Sequence, residues 1–189
     1  KTLTTRDIAA GLAEVIKSGF IADASILEIM KNFEIDRDRD NSNLLNQLIE
    51  KSVSVKAKVV NTDFKESYER EVLNYGHTLG HAIERHSNFS LRHGEAVSIG
   101  LVFAAHLSAK HCGLSESDVS LHIELLKKIG LPISYERGAL PQLHALMSVD
   151  KKSRGNTLRF VGLSSPGKTQ RIEGLSIEDL SAAYEKITQ

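Results

Sequence analysis

Apolar residues recur at helical spacing along most of the chain. Ile8, Leu12, Val15 and Ile16 share one side of a first helix, opened by Thr4 or Thr5, with Thr4 and Asp7 at capping-box spacing. A short helix through Ile26, Leu27 and Met30 follows, and the charged, turn-rich segment 36–43, DRDRDNSN, reads as an exposed loop. Leu44, Leu45, Leu48, Ile49, Val53 and Val55 mark another helix, over 44–60. The stretch 66–86, ESYEREVLNYGHTLGHAIERH, has no proline and keeps the helical period, so most of it is predicted to be one helix that packs Val72, Tyr75, Leu79 and Ile83. SNFSLRHGEA then leads into a helix from Glu95 to about Cys112, apolar almost all round and hence buried; Ala96, Gly100 and Ala104 recur along it every four residues and admit a close neighbour.

Ser115 and Asp118 open a helix through Leu126 that stops at Gly130 and Pro132, and a further helix covers about Leu140 to Val149. The period then changes. LRFVGL, SSPGK and TQRIEGL read as two short strands joined by a turn, before a capped terminal helix from Ser176. The pattern predicts an all-α, multi-helical domain over 1–189 with a small C-terminal β-hairpin attached.

Composition narrows the classes of function. The chain has 189 residues, 41% of them hydrophobic, which is enough for a real core. Its 24 basic and 24 acidic side chains cancel, so nothing global draws it to nucleic acid or to an anionic membrane; any anion site must be built locally. No apolar run approaches the roughly 20 residues that cross a bilayer, and the first residues do not resemble a signal peptide. Cys112 is alone, so an intrachain disulfide is excluded and a reducing cytoplasm is the expected compartment. The opening KTLTTRDIAAG reads as the continuation of something longer.

Candidate chemistry centres on the 66–86 helix. Arg70, Asn74, His77 and His81 fall at i, i+4, i+7 and i+11 and line one face, by default a solvated stripe. His77 and His81, one turn apart, can both point at one metal ion, and Gly76 and Gly80, each costing about 1 kcal/mol in a helix relative to alanine, imply that something approaches this backbone closely. On the first helix Glu14 and Lys17 lie one turn apart, ordinarily a surface pair. Glu14, His77 and His93, with His81 as a fourth candidate, make an open pattern of the kind seen in catalytic zinc sites. Lys17, Lys56, Arg70, Asn74 and Lys151 or Lys152 can surround it. Cations beside metal ligands are unfavourable unless an anion lies between them, so the expected substrate is anionic.

These segments carry a resemblance. AGLAEVIKSG (Ala10 to Gly19), LNYGHTLGHAIE (Leu73 to Glu84), RHGEAVSIG (Arg92 to Gly100) and DKK (Asp150 to Lys152) resemble, in order, the motifs of 3-dehydroquinate synthases. The resemblance implies that the chain is the C-terminal half of a two-domain enzyme whose N-terminal, Rossmann-like half binds NAD; no Gly-rich dinucleotide fingerprint occurs here. It further implies Glu14, His77 and His93 as ligands of Zn²⁺ or Co²⁺. Lys17, Lys56, Glu66, Arg70, Asn74, His81 and Lys151 or Lys152 would surround the substrate, and Lys1 and Thr2 would edge the NAD pocket.

The implied reaction converts 3-deoxy-D-arabino-heptulosonate 7-phosphate to 3-dehydroquinate and phosphate, with NAD returned unchanged. The implied partners are this phosphorylated sugar acid, NAD, the N-terminal domain and, through apolar surface left uncovered, a homodimer. The 189 residues alone are expected to be inactive. Competing readings are another sugar-phosphate cyclase, for which Arg70 and Asn74 are wrong, a metal-dependent polyol dehydrogenase, which would not need the lysines, and a non-catalytic helical module stabilised by metal.

Overall fold

A computed structural model describes residues 2–62, 68–149 and 158–189. Helix α1 (Thr5–Ile21) opens on a Thr4/Asp7 capping box, followed by α2 (Ala24–Asn32), the single turn α3 (Ile35–Asp38) and the long α4 (Ser42–Thr62). A short α5 (Tyr68–Glu71) runs into a 3-10 turn (Val72–Asn74), and α6 (His77–His86) and α7 (His93–Cys112) follow. Helices α8 (Glu116–Lys128) and α9 (Leu140–Val149) precede the antiparallel hairpin β1 (Arg159–Ser165) and β2 (Lys168–Glu173), and α10 (Ile177–Glu185) closes the domain from its Ser176/Asp179 capping box. The all-α class with one small hairpin is as the apolar pattern predicts.

Helix α7 is the axle. Its residues from Ala96 to Ala105 are buried almost without exception, and α1, α6, α8 and β1 all pack on it. A helix buried on every side has no polar face to orient it, so its neighbours are set by shape, and small residues decide how near they come. The hairpin is tied down by the Leu163 N–H, which donates to Ser108 Oγ, and by the Gly167 N–H, which donates to the Phe20 carbonyl at the end of α1.

Two expectations are corrected. Segment 36–43 is not simply an exposed loop: Ile35–Asp38 form a helical turn, and the Asp38 carboxylate is buried, accepting from the Arg37 guanidinium and the Glu34 N–H. The stretch 66–86 is not one helix. Gly76 adopts φ 77° and breaks it, so that α6 begins at His77. Spacing alone missed the break because Tyr75, Leu79 and Ile83 are buried on either side of it, keeping the period intact across a change of direction.

Candidate functional site

The starts of α1 and α7 lie backbone to backbone. A Cβ built on Gly94 would stand 1.9 Å from the Ala10 carbonyl oxygen, so only glycine permits this approach. Ion pairs fix the register: the Arg6 guanidinium grips Glu95 through Nε at 2.5 Å and Nη2 at 2.7 Å, and Arg92 Nη2 meets Asp7 Oδ1 at 3.0 Å. A second close approach joins α6 to α7, where a Cβ on Gly100 would stand 2.0 Å from the Gly76 carbonyl oxygen. The approach expected at Gly76 and Gly80 is thus made by α7 itself, which brings Leu101 to Gly76 and Val97 to Gly80.

These contacts bring together one side chain from each of three helices. Glu14 Oε1 lies 3.3 Å from His77 Nε2 and 3.6 Å from His93 Nε2. Two ligand atoms about 2.0–2.1 Å from a tetrahedral ion stand roughly 3.3–3.4 Å apart, so the spacing suits an ion at their centre. The other ring nitrogens are engaged: His77 Nδ1 lies 3.1 Å from the Tyr75 carbonyl oxygen, and His93 Nδ1 lies 3.1 Å from Glu84 Oε2. A carbonyl can only accept, so Nδ1 of His77 carries the proton and its Nε2 turns a lone pair toward Glu14. Glu14 Oε1 is buried without a hydrogen-bond partner, which leaves lone pairs facing lone pairs unless a cation sits among them.

Burial by itself would raise the Glu14 carboxyl, but positive charge facing it, from a proton shared with the His77 and His93 rings when no ion is bound and from the Lys17 ammonium, holds it well below the ordinary carboxylate range. Proximity to Glu14 raises His93, against the opposing effect of burial. Lys17 is 4% exposed; burial pushes its ammonium down, and its Nζ donates to Glu14 Oε2 at 2.7 Å and to the Leu73 carbonyl at 2.8 Å. The surface pair ordinarily expected of Glu14 and Lys17 is instead a half-buried clamp between α1 and the 3-10 turn. With a carboxylate, two imidazoles and a position open to the cleft, the donor set suits Zn²⁺ or Co²⁺.

Glu14, His77 and His93 lie in a cleft of about 700 Å³ that Lys17, Lys56, Arg70, Asn74 and His81 also line. The kink at Gly76 does not scatter the stripe: Arg70 and Asn74 reach the cleft from α5 and the 3-10 turn, and His77 and His81 from α6. The His81 ring centroid lies 5.2 Å from that of His77, but His81 is not in the Glu14 cluster; its nitrogen instead groups with Glu84 and His93. Thr2 is exposed and does not line the cleft, and Lys1, Glu66, Lys151 and Lys152 lie outside the described residues.

Several lining residues escaped the sequence reading. Ser18 and Ser52, whose hydroxyls are 2.9 Å apart, form the floor between α1 and α4. Arg159 and Arg171 reach in from the hairpin, where Arg171 Nε donates to Glu71 Oε2 at 2.7 Å. No local pattern marks these residues, because strand and helix meet there only in the folded chain. Glu84 did carry a signal: it lies three residues after His81 and seven after His77, on the same helical face.

Comparison with known proteins gives a consistent picture. A family model described as 3-dehydroquinate synthase C-terminal matches residues 11–153. A 3-dehydroquinate synthase of Nocardia farcinica is 46% identical over 189 residues, covering 100% of this chain and 51% of that protein. One from Paenarthrobacter aurescens is 48% identical over 188 residues, covering 99% and 52%. The chain therefore spans about half the length of the curated relatives it matches. Among solved structures, a 2-epi-5-epi-valiolone synthase from Streptomyces hygroscopicus with NAD⁺ and Zn²⁺ bound shares the fold at TM-score 0.88 and 18% identity, over 98% of this chain and 52% of that one. A 2-deoxy-scyllo-inosose synthase complexed with carbaglucose-6-phosphate, NAD⁺ and Co²⁺ shares it at TM-score 0.74 and 22% identity, over 97% and 53%.

Proposed function

The chain belongs to the 3-dehydroquinate synthase family, matching its C-terminal part, and on that premise we propose that it is the metal- and substrate-binding portion of an enzyme converting 3-deoxy-D-arabino-heptulosonate 7-phosphate to 3-dehydroquinate and phosphate. The observation that carries the reading is the buried Glu14 Oε1, unpartnered and faced by His77 Nε2 and His93 Nε2, at the wall of a cation-lined cleft. Glu14, His77 and His93 would hold a Zn²⁺ or Co²⁺ ion, which when bound supplies Lewis acidity to the substrate's hydroxyl and ketone oxygens, while NAD supplies the transient oxidation.

The chain's own residues bind and orient. Arg70 suits two-point capture of a carboxylate or phosphate, and Asn74 beside it offers amide donors. Lys56 adds a point charge from α4. Lys17, fixed by Glu14 and the Leu73 carbonyl, is held in place for an anion before one arrives, so it loses little freedom on binding. His81, exposed at the rim, is placed to exchange a proton with the substrate. Glu66 and Lys151 or Lys152 are assigned to the same substrate by family resemblance, and Lys1 and Thr2 to the NAD edge.

Among alternatives, a metal-stabilised structural module would have no use for Lys17, Lys56 and Arg70 around the ion. The relatives are about twice as long as this chain. NAD binding is therefore assigned mainly to the remaining half, with homodimerisation and a cytoplasmic location as part of the same reading. No helix among the described residues is long and apolar enough to cross a membrane.

The test uses the 189-residue chain in three steps. Elemental analysis should find one Zn²⁺ or Co²⁺ per chain in the wild type and none in His77→Ala. Calorimetry should then find that metal-loaded protein binds the heptulosonate phosphate and that Arg70→Leu binds it about 30-fold more weakly. With NAD added, sustained phosphate release by these residues alone is not expected, because hydride transfer needs the nicotinamide held against the substrate. Metal binding without any affinity for the phosphorylated acid would overturn the reading in favour of a structural site.

A further inference from the structure

The two imidazoles that face Glu14 are oriented by different means. The Nδ1 of His77 meets a main-chain carbonyl, that of Tyr75, whose ring is fully buried and whose hydroxyl is 2.9 Å from His122 Nε2. His93 has no such carbonyl. Its Nδ1 meets a side chain, Glu84 Oε2 at 3.1 Å, and the Glu84 side chain is 15% exposed.

Glu84 lies on the last turns of α6, and His93 opens α7 after a short connector. Asn88 and Phe89 both adopt left-handed backbone, φ 50° and 58°, which side chains other than glycine seldom do. The Phe89 N–H donates to the Glu84 carbonyl at 2.8 Å, so the tight turn is closed on Glu84 itself. The connector thus brings His93 back against the carboxylate that ends the preceding helix.

We infer that Glu84 is a positioning residue for the metal centre: its carboxylate accepts the His93 Nδ1 proton, so that the ring presents Nε2 to the ion beside Glu14. An imidazole not otherwise restrained can place its proton on either nitrogen and rotate about its side-chain bonds. A carboxylate acceptor removes both freedoms and makes the ring a stronger donor to the ion, an effect worth about 10–100-fold in affinity in known metal sites. His77 obtains the same restraint from the main chain, which no side-chain substitution removes; His93 depends on one carboxylate. The inference rests on the metal-site reading of the proposed function and adds a fourth residue to it.

Nitrogen and oxygen atoms of His81, Glu84 and His93 also lie within 4.8 Å of one another, so Glu84 has a competing role as a ligand in its own right. Cobalt titration of the wild type and of Glu84→Ala, Glu84→Gln and His77→Ala separates the two. Binding is followed by visible absorption and by competition with a chelator, with melting temperature as the check on folding.

The expected result is one Co²⁺ per chain in wild type, Glu84→Gln and Glu84→Ala. Affinity should fall about 10–100-fold in Glu84→Ala and less in Glu84→Gln, whose amide oxygen still accepts the Nδ1 proton. In the zinc-loaded wild type, ¹⁵N shifts of His93 should show a protonated Nδ1 and a metal-bound Nε2. Wild-type affinity in Glu84→Ala overturns the inference and leaves the metal site standing. A second ion in the wild type that is lost in Glu84→Ala makes Glu84 a ligand and overturns it too. Equal losses in Gln and Ala, accompanied by equal drops in melting temperature, mark a structural role and overturn it. A wild type that binds no cobalt overturns the metal-site reading itself.

Discussion

The two walls of the cleft are built differently. On the ligand side α1, α6 and α7 meet backbone to backbone through Gly94, Gly76 and Gly100, and Glu14 and His77 issue from helices packed into the core. On the anion side Lys56 and Arg70 are exposed, and Arg159 and Arg171 come from a hairpin edge where each pairs with a glutamate. On the proposed function the contrast has a reason. A small ion tolerates errors of only a few tenths of an ångström, which close-packed backbone can guarantee, whereas an anion met by long flexible cations can be captured from a range of positions.

The largest test of this contrast is Gly94→Ala. Its Cβ would overlap the Ala10 carbonyl oxygen at 1.9 Å, a main-chain atom that cannot turn aside, so α1 and α7 must separate. Stability should fall by about 3 kcal/mol or more in urea unfolding, and metal binding should be lost with it. A folded variant with wild-type metal affinity would show that helix spacing does not set the ligand geometry.

Acid should also act on the ligand side. His122 is fully buried, its ring stacked on Phe20 at 3.4 Å between centroids, with Nδ1 donating to the Asp118 carbonyl at 2.7 Å and Nε2 accepting from the Tyr75 hydroxyl at 2.9 Å. Burial pushes its pKa down to about 3, opposed by the bond to Asp118 and assisted by the neighbouring His106. In the unfolded chain the value is about 6.5. Between those two values the unfolded state binds a proton that the folded state does not, so stability falls as pH drops from about 6.5 toward 3. Unfolding measured across that range should show the decline, and His122→Gln should flatten it.

Arg70→Leu probes the other wall. Loss of a charge-assisted hydrogen bond costs on the order of 2 kcal/mol, so affinity for the phosphorylated acid should drop about 30-fold while metal content stays at one per chain. Loss of metal along with the anion would mean that the walls are coupled more tightly than their packing suggests. The smallest effect has the opposite sign. Gly11 lies within α1, and a Cβ there would meet nothing within 4 Å, so Gly11→Ala should stabilise by about 0.5–1 kcal/mol and leave metal affinity unchanged. Two glycine-to-alanine changes, one at the seam and one away from it, would then differ in sign for a reason visible in the backbone.

Sequence alone determined the helical class, the caps at Ser115 and Ser176, the bounds of α9 and, for the first helix, a cap at Thr4 or Thr5; it also named as candidates the carboxylate and imidazoles that the fold brings together. Periodicity and capping are local; they involve residues three or four apart, and the chain states them directly. Tertiary structure decided the kink at Gly76, the burial of Lys17 against the Leu73 carbonyl, the arrival of Arg159 and Arg171, and the pairing of Glu84 with His93. Each depends on how near one backbone comes to another. A helical pattern names the face that is buried but says nothing of that distance, and here the distance is set where glycine meets main chain across α7.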